Sequence, residues 1–240
     1  MNRMESICPE MLAGKRMLLF ADGGANVGVL AQCFQVAGCE VAVVTSGEKT
    51  LPAGIRIFTE HIGCEADVKK LKNLVKSDFG EVDILVLFPG EYIAKPLQES
   101  EEVDWRNQVE IPLSLVYLCS RYFSNDMIKN EWGRIIIISA IQAKMGGWNT
   151  GGNVSFGTLS AALCGLARSL AVELAPFGIT VNSVLPMLDI EDVAHVQQMI
   201  PLDILPTVED VAGAALFFAS QGASFITGYG LDINCGLFMD

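Results

Sequence analysis

Apolar positions along the chain follow two rhythms. Short, nearly unbroken apolar runs recur at 17–20, 40–44, 55–58, 82–86, 135–138, 179–185 and 231–234. Runs of this length with so little polar interruption suit parallel strands covered on both faces. Between them, apolar residues return at helical spacing in a segment ending at Ala37 and in 68–77, 103–130, 155–174 and 208–219. Local signals bound several of these helices. Gly178 closes the fourth, and Pro112 is expected to kink the third. Thr207 opens the fifth, with Asp210 three residues on in the manner of a capping box.

Strand and helix alternate throughout, which predicts an α/β fold: a Rossmann-like, doubly wound parallel sheet in a single domain. The stretch Gly133 to Pro186 is one βαβ unit with a right-handed crossover. Residues 1–11 show no period and are expected to be an extension, leaving 12–240 as the domain.

Composition changes this picture in two places. At 51% hydrophobic and a mean hydropathy of +0.39, the chain carries more apolar surface than a small polar-coated domain needs. No apolar run reaches the ~18 residues of a membrane span, so no membrane association is expected. The excess is expected in buried strands and in a homodimer or homotetramer interface built on helices 103–130 and 155–174. The net charge of −12 weighs against nucleic acid and anionic membranes, which need clustered Lys and Arg. Seven scattered cysteines without C-x-x-C spacing read as reduced thiols, and no apolar leader follows Arg3, so a cytoplasmic address is expected. His61 and His195 stand apart without ligand-spaced partners, which argues against a metal site.

The segment GRIIIIS followed by SAALCGLARSLAVELAPFGITVNSVLP resembles the second half of the short-chain dehydrogenase/reductase family, and the similarity extends over residues 12 to 238. Family members carry a T-G-x-x-x-G-x-G turn after the first strand. In the register set by LAGKR and Ala37-Gly38, the Thr falls on Phe20 and the glycines on Ala21, Ala25 and Val27. Gly23, Gly24 and Gly28 lie elsewhere in the turn, and a shifted turn built on them could still cradle a dinucleotide. The second strand ends in Thr45-Ser46-Gly47, without an acidic residue for a ribose diol. The family's N-N-A-G becomes Leu87-Phe88-Pro89-Gly90, and its Asn-Ser-Tyr-Lys tetrad falls on Glu110, Ala140, Phe156 and Ser160. The chain is therefore expected to be an atypical member that lacks the catalytic tetrad and the glycine-rich cofactor motif.

On these departures the expected function is a cofactor-independent, non-redox enzyme, a lyase, isomerase or cyclase, with no cofactor and a small apolar molecule as ligand. The alternative is a catalytically silent subunit that partners an active reductase or scaffolds a biosynthetic complex. Carboxylates are the expected acid or base: Glu110, in the interior where desolvation would raise its pKa, then Asp22, with Ser139 and Ser155 as further candidates. Loops after the strands' carboxyl ends supply the expected lining: Phe20, Glu91, Tyr92, Gln142, Trp148, Asn149, Asn153, Phe156 and Met187. The stretch GGWNTGG, 146–152, reads either as a lid or as a plain solvent loop.

Overall fold

The computed structural model describes residues 8, 10–21, 26–47, 50–89, 95–146, 154–187 and 196–239. Seven strands form one sheet: β1 (Arg16–Ala21), β2 (Glu40–Thr45), β3 (Arg56–Thr59), β4 (Ile84–Phe88), β5 (Gly133–Ile138), β6 (Ile179–Pro186) and β7 (Gly230–Ile233). Their spatial order is β3-β2-β1-β4-β5-β6-β7, and every pairing is parallel. The order turns back on itself between β1 and β4, as in a doubly wound sheet.

Helices cover both faces. On one side lie α1 (Asn26–Val36) and the helix Val208–Ala219; on the other lie α2 (Glu65–Asp78), α4 (Ile111–Lys129) and α6 (Val154–Leu174). The short helices α3 (Glu102–Trp105) and α5 (Gln142–Met145) precede α4 and α6, so Val208–Ala219 is α7. Period-two alternation divides each strand between the layers. Met17, Leu19 and Ala21 join the core under α1 and α7, whereas Leu18 and Phe20 join the core under α2, α4 and α6. The central strands β5 and β6 are buried along their whole length, and the edge strands β3 and β7 are not.

Two helices depart from the periodicity. The apolar pattern of α2 starts at Val68, yet the helix begins at Glu65, because the Asp67 carboxylate accepts the backbone N–H groups of Gly63 and Cys64, both at 3.0 Å. That cap satisfies donors a helix start otherwise leaves unpaired. The helix expected over 103–130 is interrupted by a π-helical turn, Arg106–Glu110, in which the Ile111 N–H donates to the Arg106 carbonyl five residues back. Pro112, with no N–H to give, directly follows this widened turn.

Close approaches explain two glycines. Gly178 adopts φ +70° after α6, and a Cβ there would stand 2.4 Å from the Glu131 carbonyl oxygen. A Cβ on Gly157, in the first turn of α6, would meet the Gly146 carbonyl oxygen at 2.7 Å, so α5 and α6 touch backbone to backbone. The segment 154–177 is, by length and composition, apolar enough to cross a membrane, contrary to the expectation that no such stretch exists. Its Leu159, Leu163, Ala167, Ala171 and Leu174 are buried in the core beneath the sheet, which accounts for the composition.

Candidate active site

In open α/β sheets, ligands bind beyond the carboxyl ends of the strands where the strand order reverses. A cleft opens at that place here. Its walls come from the ends of β1, β2 and β4 (Phe20, Ala21, Val44, Thr45, Leu87, Phe88), from Ser46, Glu60, Ile62 and Pro89 just beyond strands, and from Leu115 and Val116 of α4. The floor is apolar. Phe20 meets Phe123 of α4 edge-on, with ring centroids 5.7 Å apart. The rim is polar, because Glu60 follows β3 directly and its N–H donates to the Thr45 carbonyl at 3.0 Å. Thr45 Oγ1 in turn donates to the Gly47 carbonyl at 3.4 Å.

Sequence reasoning named Phe20 in this lining but not Thr45, Ser46 or Glu60. It sought a carboxylate after the second strand, whereas parallel pairing of Thr45 with Thr59 brings one from the end of the third. The signal is an acidic residue two positions past the short apolar run 55–58. Only the register of the sheet assigns it to the cleft.

A second group of side chains lies at the ends of β5, β6 and β7. Ser139, 8% exposed, donates its hydroxyl to the Ser160 carbonyl at 3.0 Å, and the Cys164 thiol stands 3.9 Å from that hydroxyl. Burial raises the Cys164 pKa, against the opposing effects of Ser139, Ser183, Arg168 and Lys144. Lys144 of α5 pairs with Asp232 of β7 at 2.8 Å. Met187 is buried with Ile141, Val196 and Ile200, beside Leu237 and Phe238, so it belongs to a small apolar cluster. Gln142, Ser155 and Phe156 are half-buried, Gln142 in α5 and the other two in the first turn of α6.

Glu110 is a correction. It was expected in the interior, yet its side chain is 55% exposed and its carboxylate faces Arg106 at 3.7 Å. The additional residue in the π turn changes the phase of the helix there, so this position points to solvent instead of into the sheet end. Asp22, Glu91, Tyr92, Trp148, Asn149 and Asn153 lie outside the described residues. Val27 is wholly buried with Ala21, Leu30 and Ala31, so its branched side chain packs into the core of the α1 layer.

Residues 24–238 match the family model described as enoyl-(acyl carrier protein) reductase. The chain belongs to the short-chain dehydrogenase/reductase family. It is 31% identical over 241 residues to the 3-oxoacyl-[acyl-carrier-protein] reductase FabG of Rickettsia conorii, covering 95% of this chain and 98% of that protein. The Escherichia coli K12 protein of the same name is 29% identical over 239 residues, covering 90% and 95%. Among solved structures, a putative short-chain dehydrogenase/reductase from Burkholderia xenovorans superposes with a TM-score of 0.87 at 26% identity, over 96% of this chain and 100% of that one.

These matches overturn the expectation of a cofactor-independent lyase, isomerase or cyclase, together with its silent-subunit alternative. Relatives aligned over nine-tenths or more of the chain are named reductases. Side-chain identity at single positions is a weak guide to loss of a dinucleotide site. Dinucleotide sites in such folds rest largely on backbone N–H groups, a helix N-terminus and the crevice between strands, which tolerate side-chain change.

Proposed function

We propose that the chain is a nicotinamide-dependent reductase acting on the carbonyl of an acyl substrate, the reaction class for which its relatives are named. The cleft at the reversal of strand order carries this reading. Its residues fit a dinucleotide: Val44, Ile62, Leu115 and Val116 offer apolar faces to a purine, and Thr45, Ser46 and Glu60 offer hydrogen-bonding groups to a sugar. Among the described residues, the first turn of α1 carries no acidic side chain to oppose an anion at the helix N-terminus. When bound, the dinucleotide would supply a hydride to the carbonyl carbon.

On the register of the resemblance, the family's four reaction positions hold Glu110, Ala140, Phe156 and Ser160, so the reading assigns the proton to a group outside them. Lys144 is that group. Its ammonium sits just past β5 and is oriented by the Asp232 carboxylate at 2.8 Å. The cluster of Ile141, Met187, Val196 and Ile200 supplies an apolar wall for an acyl chain. The test is a fluorescence titration with NADH and NADPH, then loss of nicotinamide absorbance with a 3-oxoacyl thioester. Saturable binding and turnover are expected, with Lys144→Met slowing turnover by roughly a hundredfold or more while binding persists. Absence of binding by both dinucleotides would overturn the reading.

The same reading includes a homodimer or homotetramer through α4 and α6. Ile111, Tyr117, Val154 and Val172 of these helices are exposed, an apolar face that a second copy would cover. Light scattering that finds only monomer would remove this element.

A further inference from the structure

We propose that Arg134 and Thr180 together hold a small monovalent anion, chloride above all, near the amino ends of β5 and β6. The site lies at the opposite end of the sheet from the cleft and stands independently of the nucleotide reading.

Arg134 is 2% exposed, and no carboxylate among the described residues pairs with it. Its acceptors are all neutral. Nη1 donates to the Gly133 carbonyl at 2.8 Å and the Gly178 carbonyl at 3.4 Å, and Nη2 donates to the Ser224 hydroxyl at 3.1 Å. The Ser224 proton is itself directed to the Gln221 carbonyl at 2.7 Å. The Nε–H of Arg134 is buried and has no acceptor among the described residues. A second cation stands close by but is treated differently. The Trp132 ring lies 4.5 Å from the Arg134 guanidinium and 3.6 Å from the Lys15 ammonium, yet Lys15 has the Asp83 carboxylate at 3.5 Å.

Thr180 supplies the second observation. It is the parallel-register partner of Arg134, and period-two alternation places both on the sheet face of Ile136 and Val184, under α7. It is 7% exposed, and its hydroxyl likewise has no partner among the described residues. The next polar residue along that face, Asn182, is fully engaged: it donates to the Ile226 carbonyl at 2.8 Å and accepts the Tyr229 N–H at 3.0 Å. Two buried donors therefore share one face on adjacent strands, and one of them carries a charge that burial disfavours. A buried charge is costly unless an opposite charge offsets it, and a buried donor without an acceptor adds to that cost. Chloride would accept from both donors and offset the charge, whereas water would meet the donors alone. Burial also favours a monatomic ion over phosphate or sulfate, whose further oxygens would lack donors there.

The experiment follows thermal unfolding of the full chain while chloride replaces gluconate at constant ionic strength, so that general screening is held fixed. The midpoint is expected to rise saturably, by roughly 3–6 °C at ten times the half-saturating chloride concentration, and bromide should act in the same way. Thr180→Val keeps the shape and removes one donor, and it should raise the half-saturating concentration about tenfold. Arg134→Met should abolish the response. Because that variant also loses three buried hydrogen bonds and could fail to fold, Thr180→Val and the wild type carry the test. Anomalous diffraction from wild-type crystals grown in bromide should place a peak between Arg134 Nε and Thr180 Oγ1. A midpoint indifferent to chloride, or a chloride response unchanged in folded Thr180→Val, would overturn the inference. So would bromide crystals without a peak at that position, which would leave the two donors to water or to each other.

Discussion

The cleft over β1, β2 and β4 and the polar group at the ends of β5 to β7 are built from similar residue types, yet they dispose of them differently. At the cleft, polar residues stand on the rim of an apolar floor, with Thr45 bonded to the Gly47 backbone and Glu60 paired with the exposed Lys70. At the other end, polar groups are committed to the protein: Ser139 to the Ser160 carbonyl, and Lys144 to Asp232. An exposed ion pair such as Lys70–Glu60 contributes little and opens to a ligand at small cost. Groups already paired must exchange a partner, so the second region suits orientation and proton movement better than first recognition.

The largest effect expected from breaking this contrast lies under the cleft. Phe123→Ala should cost about 3–5 kcal/mol in urea denaturation, and it also removes the ring that Phe20 rests on. Phe218→Ala, in the opposite helical layer, should cost a similar amount but leave dinucleotide affinity nearly unchanged. Equal losses of affinity in both variants would show that the floor assignment is wrong.

Next comes the support of α4, the helix that supplies Leu115 and Val116. Its Asp126 carboxylate is nearly buried and accepts from Lys72 and from Lys76, the latter at 3.1 Å. Burial works against its ionisation, but the two lysines prevail and hold its pKa below the usual value. The folded-state pKa is therefore depressed. The stabilisation is fully present above the ordinary carboxylate value near ~4 and is lost as pH falls through the lower folded value. Asp126→Asn should cost about 3 kcal/mol at neutral pH and flatten the acid limb of a stability–pH curve. An unchanged acid limb would show that other carboxylates govern it.

At the reaction end, Ser139→Ala should cost only about 1 kcal/mol in thermal unfolding, since it removes one hydrogen bond to a helix carbonyl. A loss of turnover far beyond the roughly tenfold that a small displacement would bring would move the Ser139 hydroxyl into the chemistry itself. The smallest effect belongs to Glu110→Gln. The side chain is exposed and its only described partner is Arg106, so stability should change by less than about 0.5 kcal/mol and turnover not measurably. A hundredfold loss would restore Glu110 to the site.

Much of the fold was legible because its signals are local. Unbroken apolar runs marked the strands, and the Thr207–Asp210 pair marked the start of α7, where Asp210 accepts the Thr207 N–H at 2.8 Å. The start of α2 was not legible in the apolar pattern, since its first turn is held by a carboxylate cap and not by burial. The site was less legible than the fold. Glu110 has the same local sequence whether its helix is regular or widened, and only the π turn before Pro112 decides which way it points. Glu60 reads as a loop residue until β3 is laid beside β2 in register.

By itself, then, the sequence determined the alternation of strands and helices, the parallel sheet, and the family the chain resembles, because periodicity and motif spacing act over a few residues at a time. Tertiary structure alone decided which polar side chains share a cleft and which are spent on the protein. Strand order joins residues that are distant in the chain, such as Phe20, Thr45, Glu60 and Leu87. A one-residue change in helical phase is enough to carry a carboxylate from the interior to solvent, and neither effect leaves a mark within the local window that a pattern of apolar positions can register.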